Sequence, residues 1–108
     1  MDSKAEMYLK RARTEIDSAV ILFQASEDRK LKEDLQVHED STFYSGVIAH
    51  AYYSIFYTVK ALLLTANIET EAPEVHKKTF DNFKKVFIDT GLLDAKFLIL
   101  GIVLSCDC

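Results

Sequence analysis

Residues Ser41–Ala66, STFYSGVIAHAYYSIFYTVKALLLTA, decide how this chain folds. As a helix the run would extend roughly 39 Å. Tyr44, Ile48, Tyr52, Ile55, Val59 and Leu62 recur at three- and four-residue steps, the spacing that lines side chains along one side of an α-helix. Ala51, Phe56 and Leu63 widen that side. His50, Tyr53, Tyr57 and Lys60, with Gly46, follow the same spacing on the other side. A helix that is apolar on one stripe and aromatic-polar on another touches two neighbours. The first is expected within the chain and the second in another copy of it.

Working outward, Ser3 and Glu6 form a capping-box pattern ahead of Leu9, Ala12, Ile16, Val20 and Phe23, whose spacing predicts a helix over 3–26. Residues 27–40, EDRKLKEDLQVHED, are mostly charged and read as a short amphipathic helix on Leu31 and Leu35 or as a mobile connection. Beyond the central run, Asn67 suits a left-handed stop, and Pro73 suits the start of a further helix over 74–88. His76, Phe80, Phe83 and Phe87 share a face of that helix. From Leu92 the chain turns apolar through Leu104, and with helices before it a fourth helix is expected. The expectation is an all-α, antiparallel up-and-down bundle of about four helices, forming one domain over residues 1–108.

The composition agrees. With 49% hydrophobic and 28% charged residues, 3 Gly and 1 Pro in 108 residues, the chain reads neither as a disordered tail nor as a turn-rich β domain. A net charge of -4 excludes the bulk electrostatics of a nonspecific DNA coater, though not a local basic patch. The start, Met1-Asp2-Ser3-Lys4, lacks the apolar segment of a secretory signal, and the apolar stretch Phe97–Leu104 is too short to span a bilayer. Cys106 and Cys108 are too close together to staple a fold. A cytoplasmic protein with no membrane association is expected.

At Ala49-His50-Ala51-Tyr52-Tyr53-Ser54-Ile55-Phe56-Tyr57, followed by Ala61-Leu62-Leu63-Leu64, the chain resembles the HEPN family (higher eukaryotes and prokaryotes nucleotide-binding domain), above all its small stand-alone prokaryotic members. Val75-His76-Lys77, the stretch Val86–Leu93 and the N-terminal Leu9-Lys10-Arg11-Ala12 match in order and distance. The resemblance spans roughly residues 5–96. It implies a helical homodimer and a minimal nucleotidyltransferase as partner protein, the pair acting as a toxin–antitoxin-like module that binds nucleotide or RNA. Several branches of the family are metal-independent endoribonucleases marked by an Arg, four to six residues, then a His. No Arg here precedes a His at that spacing, and no Arg follows Arg29. The family's closing helices are missing as well, the chain ending at Ser105-Cys106-Asp107-Cys108. An interaction domain is therefore expected ahead of an enzyme. Its alternatives are a ribonuclease toxin with a dimer-assembled active site and a noncatalytic dimeric structural fragment.

The candidate residues carry two readings each. His50, Tyr53, Tyr57 and Lys60 could stack bases, contact a phosphate and donate a proton, or could form a dimer or inter-helix seam. His76 and His50 are the candidate acid–base groups, and His76 reads equally as a packing residue among phenylalanines. Lys77, Lys78, Lys84 and Lys85 could contact phosphates or simply face solvent. His38, Glu39 and Asp40 read as loop charge, and Cys106-x-Cys108 supplies too few ligands for zinc. Neither a metal nor a cofactor is expected.

Overall fold

The computed structural model describes residues 3–71 and 74–89. Among them the chain is all-α: α1 (Ser3–Glu27), α2 (Arg29–Leu35), α3 (Tyr44–Thr65) and α4 (Val75–Phe83), the last continued by a π-helical turn, Lys84–Ile88. Pro73, the apolar stretch Leu92–Leu104 and the terminal cysteines lie outside the described residues.

α1 and α3 run antiparallel. Ser26 meets Phe43, Leu22 meets Gly46, Glu15 meets His50, and Tyr8 meets Tyr57. α4 turns back along α3, setting His76 against Phe56 and Phe80 against Tyr52. By length and composition α3 is apolar enough to cross a membrane; in this bundle it is the helix on which α1 and α4 both pack.

Local chemistry sets the ends of these helices. Asp28 caps α2 by accepting the Leu31 N–H at 3.2 Å, which satisfies a donor that the first turn leaves unpaired. The charged segment thus takes the helical one of its two readings. Its exit passes through Gln36 at φ 61°, with the Val37 N–H returning to the Lys32 carbonyl at 3.1 Å. α3 stops as Asn67 leads one to expect. Asn67 sits at φ 60°, its N–H bonds the Leu64 carbonyl at 3.0 Å, and the Ile68 N–H bonds the Leu63 carbonyl at 2.9 Å. Phe43, ahead of α3, has no capping side chain; its own N–H donates to Ser26 Oγ at 2.8 Å, tying the start of α3 to the end of α1.

The core joins Tyr52, Phe56, Val59 and Leu63 of α3 to Phe80 and Phe83 of α4. The expected α4 face is present, and the π turn carries it on to Phe87, whose ring lies 5.5 Å from Phe83. Burying one such Phe or Leu contributes about 1.5–3 kcal/mol.

α1 departs from its expected face. Of Leu9, Ala12, Ile16, Val20 and Phe23 only Ala12 is buried, and the other four are exposed. The packed face is Ala5, Tyr8, Ala12, Ala19 and Ser26, with Glu15 and Leu22 half-covered between them. Small side chains let the two helix backbones approach closely. At Gly46 a β-carbon would stand 2.8 Å from Leu22 Cδ1. Residue size along the seam, not hydrophobicity, chose the face.

Phe83→Ala is expected to cost about 3–5 kcal/mol in urea unfolding. Ile21→Ala, on a side chain 60% exposed, should stay within about 0.5 kcal/mol of wild type. Equal effects would contradict the placement of the core.

Candidate functional site

The polar-aromatic stripe of α3, expected to meet another copy of the chain, instead turns toward α1 and the start of α4 of its own chain. His50, half-buried, donates from Nδ1 to Glu15 Oε2 at 2.5 Å. Two turns on, Tyr57 stacks on Tyr8, ring centroids 6.0 Å apart at 17°, and Arg11 holds its guanidinium 5.8 Å from the Tyr57 centroid. Lys60 places its ammonium 5.0 Å from the Tyr8 centroid and 5.6 Å from that of Phe56, and donates to the Thr70 carbonyl at 3.2 Å. Its charge is therefore set among π faces, where desolvation strengthens the attraction.

Tyr53 is the outward member of the stripe, 37% exposed, edge-on to Phe56 and to the His76 imidazole. His76 stacks on Phe56 with centroids 4.3 Å apart and shares a hydrogen bond between Nδ1 and the Tyr52 hydroxyl. Burial lowers the His76 pKa below its ordinary 6.5, and the nearby Lys60 charge lowers it further. The lowered pKa favours the uncharged ring at neutral pH, with Nδ1 and the Tyr52 hydroxyl sharing one hydrogen bond. Three sequence candidates (Tyr53, Lys60 and His76) thus surround Phe56, while His50 lies further along α3 with Glu15.

Sequence reasoning missed the α1 wall, Tyr8, Arg11 and Glu15. A signal was available in the steps Ala5, Tyr8, Ala12, Glu15, Ala19, which alternate three and four residues and mark a seam.

The four lysines of α4 and the π turn divide in their bonding. Lys77 pairs with Asp81 at 3.0 Å, a bond that raises its pKa, and Lys84 pairs with Asp89 at 3.1 Å. Lys78 donates to the Glu71 carbonyl at 3.4 Å, and Lys85 is exposed. Like Lys78 and Lys85, the cations Lys10, Arg11 and Lys60 have no carboxylate in ion-pair range among the described residues. Among those residues, too, no three metal-ligating side chains converge; Glu39, beside His38, pairs with Arg29 at 2.6 Å.

No family model and no solved structure matches the chain. It is similar to two proteins of Methanocaldococcus jannaschii. One, named "Putative toxin MJ0142", is 40% identical over 70 residues, 62% of this chain and 46% of that protein. The other, named "Putative toxin MJ0605", is 34% identical over 55 residues, 51% of this chain and 39% of that protein. The matches span less than half the length of either relative.

His76 should titrate below 6.5 by NMR, and Lys60→Gln should move it up toward that value. The unfolded chain then holds the proton at a pH where the folded one has lost it. Stability from this group is present above 6.5 and is lost as the pH falls through the lower folded value. A titration at or above 6.5 would contradict the half-buried, cation-flanked ring.

Proposed function

We propose that this chain is the HEPN-type helical member of a toxin–antitoxin-like module, binding nucleotide or RNA along the α3 groove in the cytoplasm. Its partner protein is a minimal nucleotidyltransferase, and it works as a homodimer. The observation that carries the ligand is the pairing of an outward tyrosine, Tyr53, with cations free of carboxylates, Arg11 and Lys60, along one groove. Nucleic acid is bound by the same combination, aromatic faces for bases and cations for the backbone. The names of the two archaeal relatives support the module, and the ordered pieces from Ala12 through Leu64 to Ile88 support the kinship.

The homodimer rests on the outer face of α1. Leu9, Ile16, Val20 and Phe23, 37–49% exposed, form one apolar stripe there. Such a stripe marks an interaction surface.

A specific observation also favours the ribonuclease reading. His76 is an uncharged imidazole beside a hydroxyl, and His50 is oriented by a carboxylate; both are arrangements that serve proton transfer.

Anisotropy of a labelled oligoadenylate with EDTA present separates these. Binding that weakens with Tyr53→Ala by about 1–3 kcal/mol supports the binding module. Metal-free cleavage abolished by His50→Ala replaces it with the enzyme. No binding and no cleavage leaves a structural role. Sedimentation equilibrium should give a dimer mass, reduced to a monomer by Ile16→Asp; a wild-type monomer would remove the dimer.

A further inference from the structure

α1 carries a further feature, on the side away from its apolar stripe. Met7, Lys10, Arg11, Thr14 and Glu15 line an open cleft of about 450 Å³ whose far wall is Tyr57. At 100° per residue Met7, Arg11 and Thr14 lie across the helix from Leu9, Ile16 and Val20, with Lys10 and Glu15 on the flanks, so a second copy on the apolar stripe leaves the centre of the cleft open. The volume lies in the range of small-ligand sites.

The lining is chemically specific. Lys10 and Arg11 are adjacent cations without carboxylate partners among the described residues. Arg11 is restrained over the Tyr57 ring, which is itself stacked on Tyr8. A guanidinium held near a ring by cation–π attraction keeps its N–H donors for an acceptor such as a phosphoryl group. The Thr14 hydroxyl is committed to the Lys10 carbonyl at 3.2 Å, which leaves the two cations as the anion donors of the wall. Glu15 is the one carboxylate of the lining, and His50 draws its Oε2 toward α3 at 2.5 Å. A carboxylate beside a phosphate site is the group that accepts ribose hydroxyls.

We infer that this cleft is a subsite for a phosphorylated ribonucleoside, with the phosphoryl group on Lys10 and Arg11 and the ribose hydroxyls on Glu15. The inference rests on the proposed nucleotide or RNA reading and adds where the phosphate sits. The phosphorylated ribonucleoside is either a free mononucleotide or the 5′-phosphorylated end of an RNA.

Isothermal titration of the full chain tests it, using AMP, dAMP, adenosine, inorganic phosphate, and oligoadenylate with and without a 5′-phosphate. AMP is expected to bind at least about tenfold more tightly than adenosine or phosphate, and Arg11→Gln to remove about tenfold with the melting temperature unchanged. Glu15→Gln should narrow the preference of AMP over dAMP. Oligoadenylate favoured by its 5′-phosphate, and more tightly bound than AMP, assigns the site to RNA ends; AMP favoured over both oligomers assigns it to free nucleotide. Adenosine or phosphate binding as well as AMP, or wild-type affinity in Arg11→Gln, overturns the subsite. If oligoadenylate binding depends on Tyr53 and Lys60 but not on Arg11, the subsite fails while binding at Tyr53 and Lys60 stands. If nothing binds, both fail.

Discussion

The close approach of α1 to α3 is the constraint on which the rest of the molecule depends. Ala5, Ala12 and Ala19 offer no side chain beyond a methyl, and Gly46 offers none where Leu22 crosses. Packing at this range lets short polar contacts span the seam, such as Glu15 to His50 and Ser26 to Phe43. It also fixes the register. Because the seam tolerates bulk at few points, sliding α1 by a turn would drive Tyr8 or Leu22 into positions now held by alanine.

The groove follows from that register. Tyr8 reaches Tyr57 only because Ala5 and Ala12 bring the helices together around it, and the stacked pair then holds Arg11 and Lys60. On the other side α4 delivers His76 to the same Phe56 that faces Lys60, so cation and imidazole share one aromatic neighbour. That shared neighbour explains why the Lys60 charge acts on His76 in addition to burial. Arg11 and Lys60 thus stand along this seam, although the chain as a whole carries a net charge of -4.

Much of this was legible in the sequence. The α3 helix, the Asn67 stop and the Phe80–Phe83–Phe87 face follow from spacing and turn chemistry and appear, although the buried stripe of α3 is Tyr52, Phe56, Val59 and Leu63, with Tyr44 exposed and Ile48, Ile55 and Leu62 half-buried. The stripe of His50, Tyr53, Tyr57 and Lys60 was legible as a group, since helical phase alone unites it. Its covering helix was not. Leu9, Ile16, Val20 and Phe23 form the more hydrophobic stripe of α1, so a reading by hydrophobicity puts them inward. The structure turns them outward because a partner helix at short range selects small residues, a property of the pair that one helix's pattern does not express. For the same reason Lys10, Arg11 and Glu15 escaped notice: their meaning depends on which face of α1 meets Tyr57.

The most direct test of the seam is a side-chain NOE spectrum of the full chain. The account predicts cross-peaks between the Tyr8 and Tyr57 rings, and from the Ala12 and Ala19 methyls to α3 side chains. Cross-peaks to α3 from the methyls of Leu9, Ile16 and Val20, with the Tyr8–Tyr57 peaks absent, would contradict it.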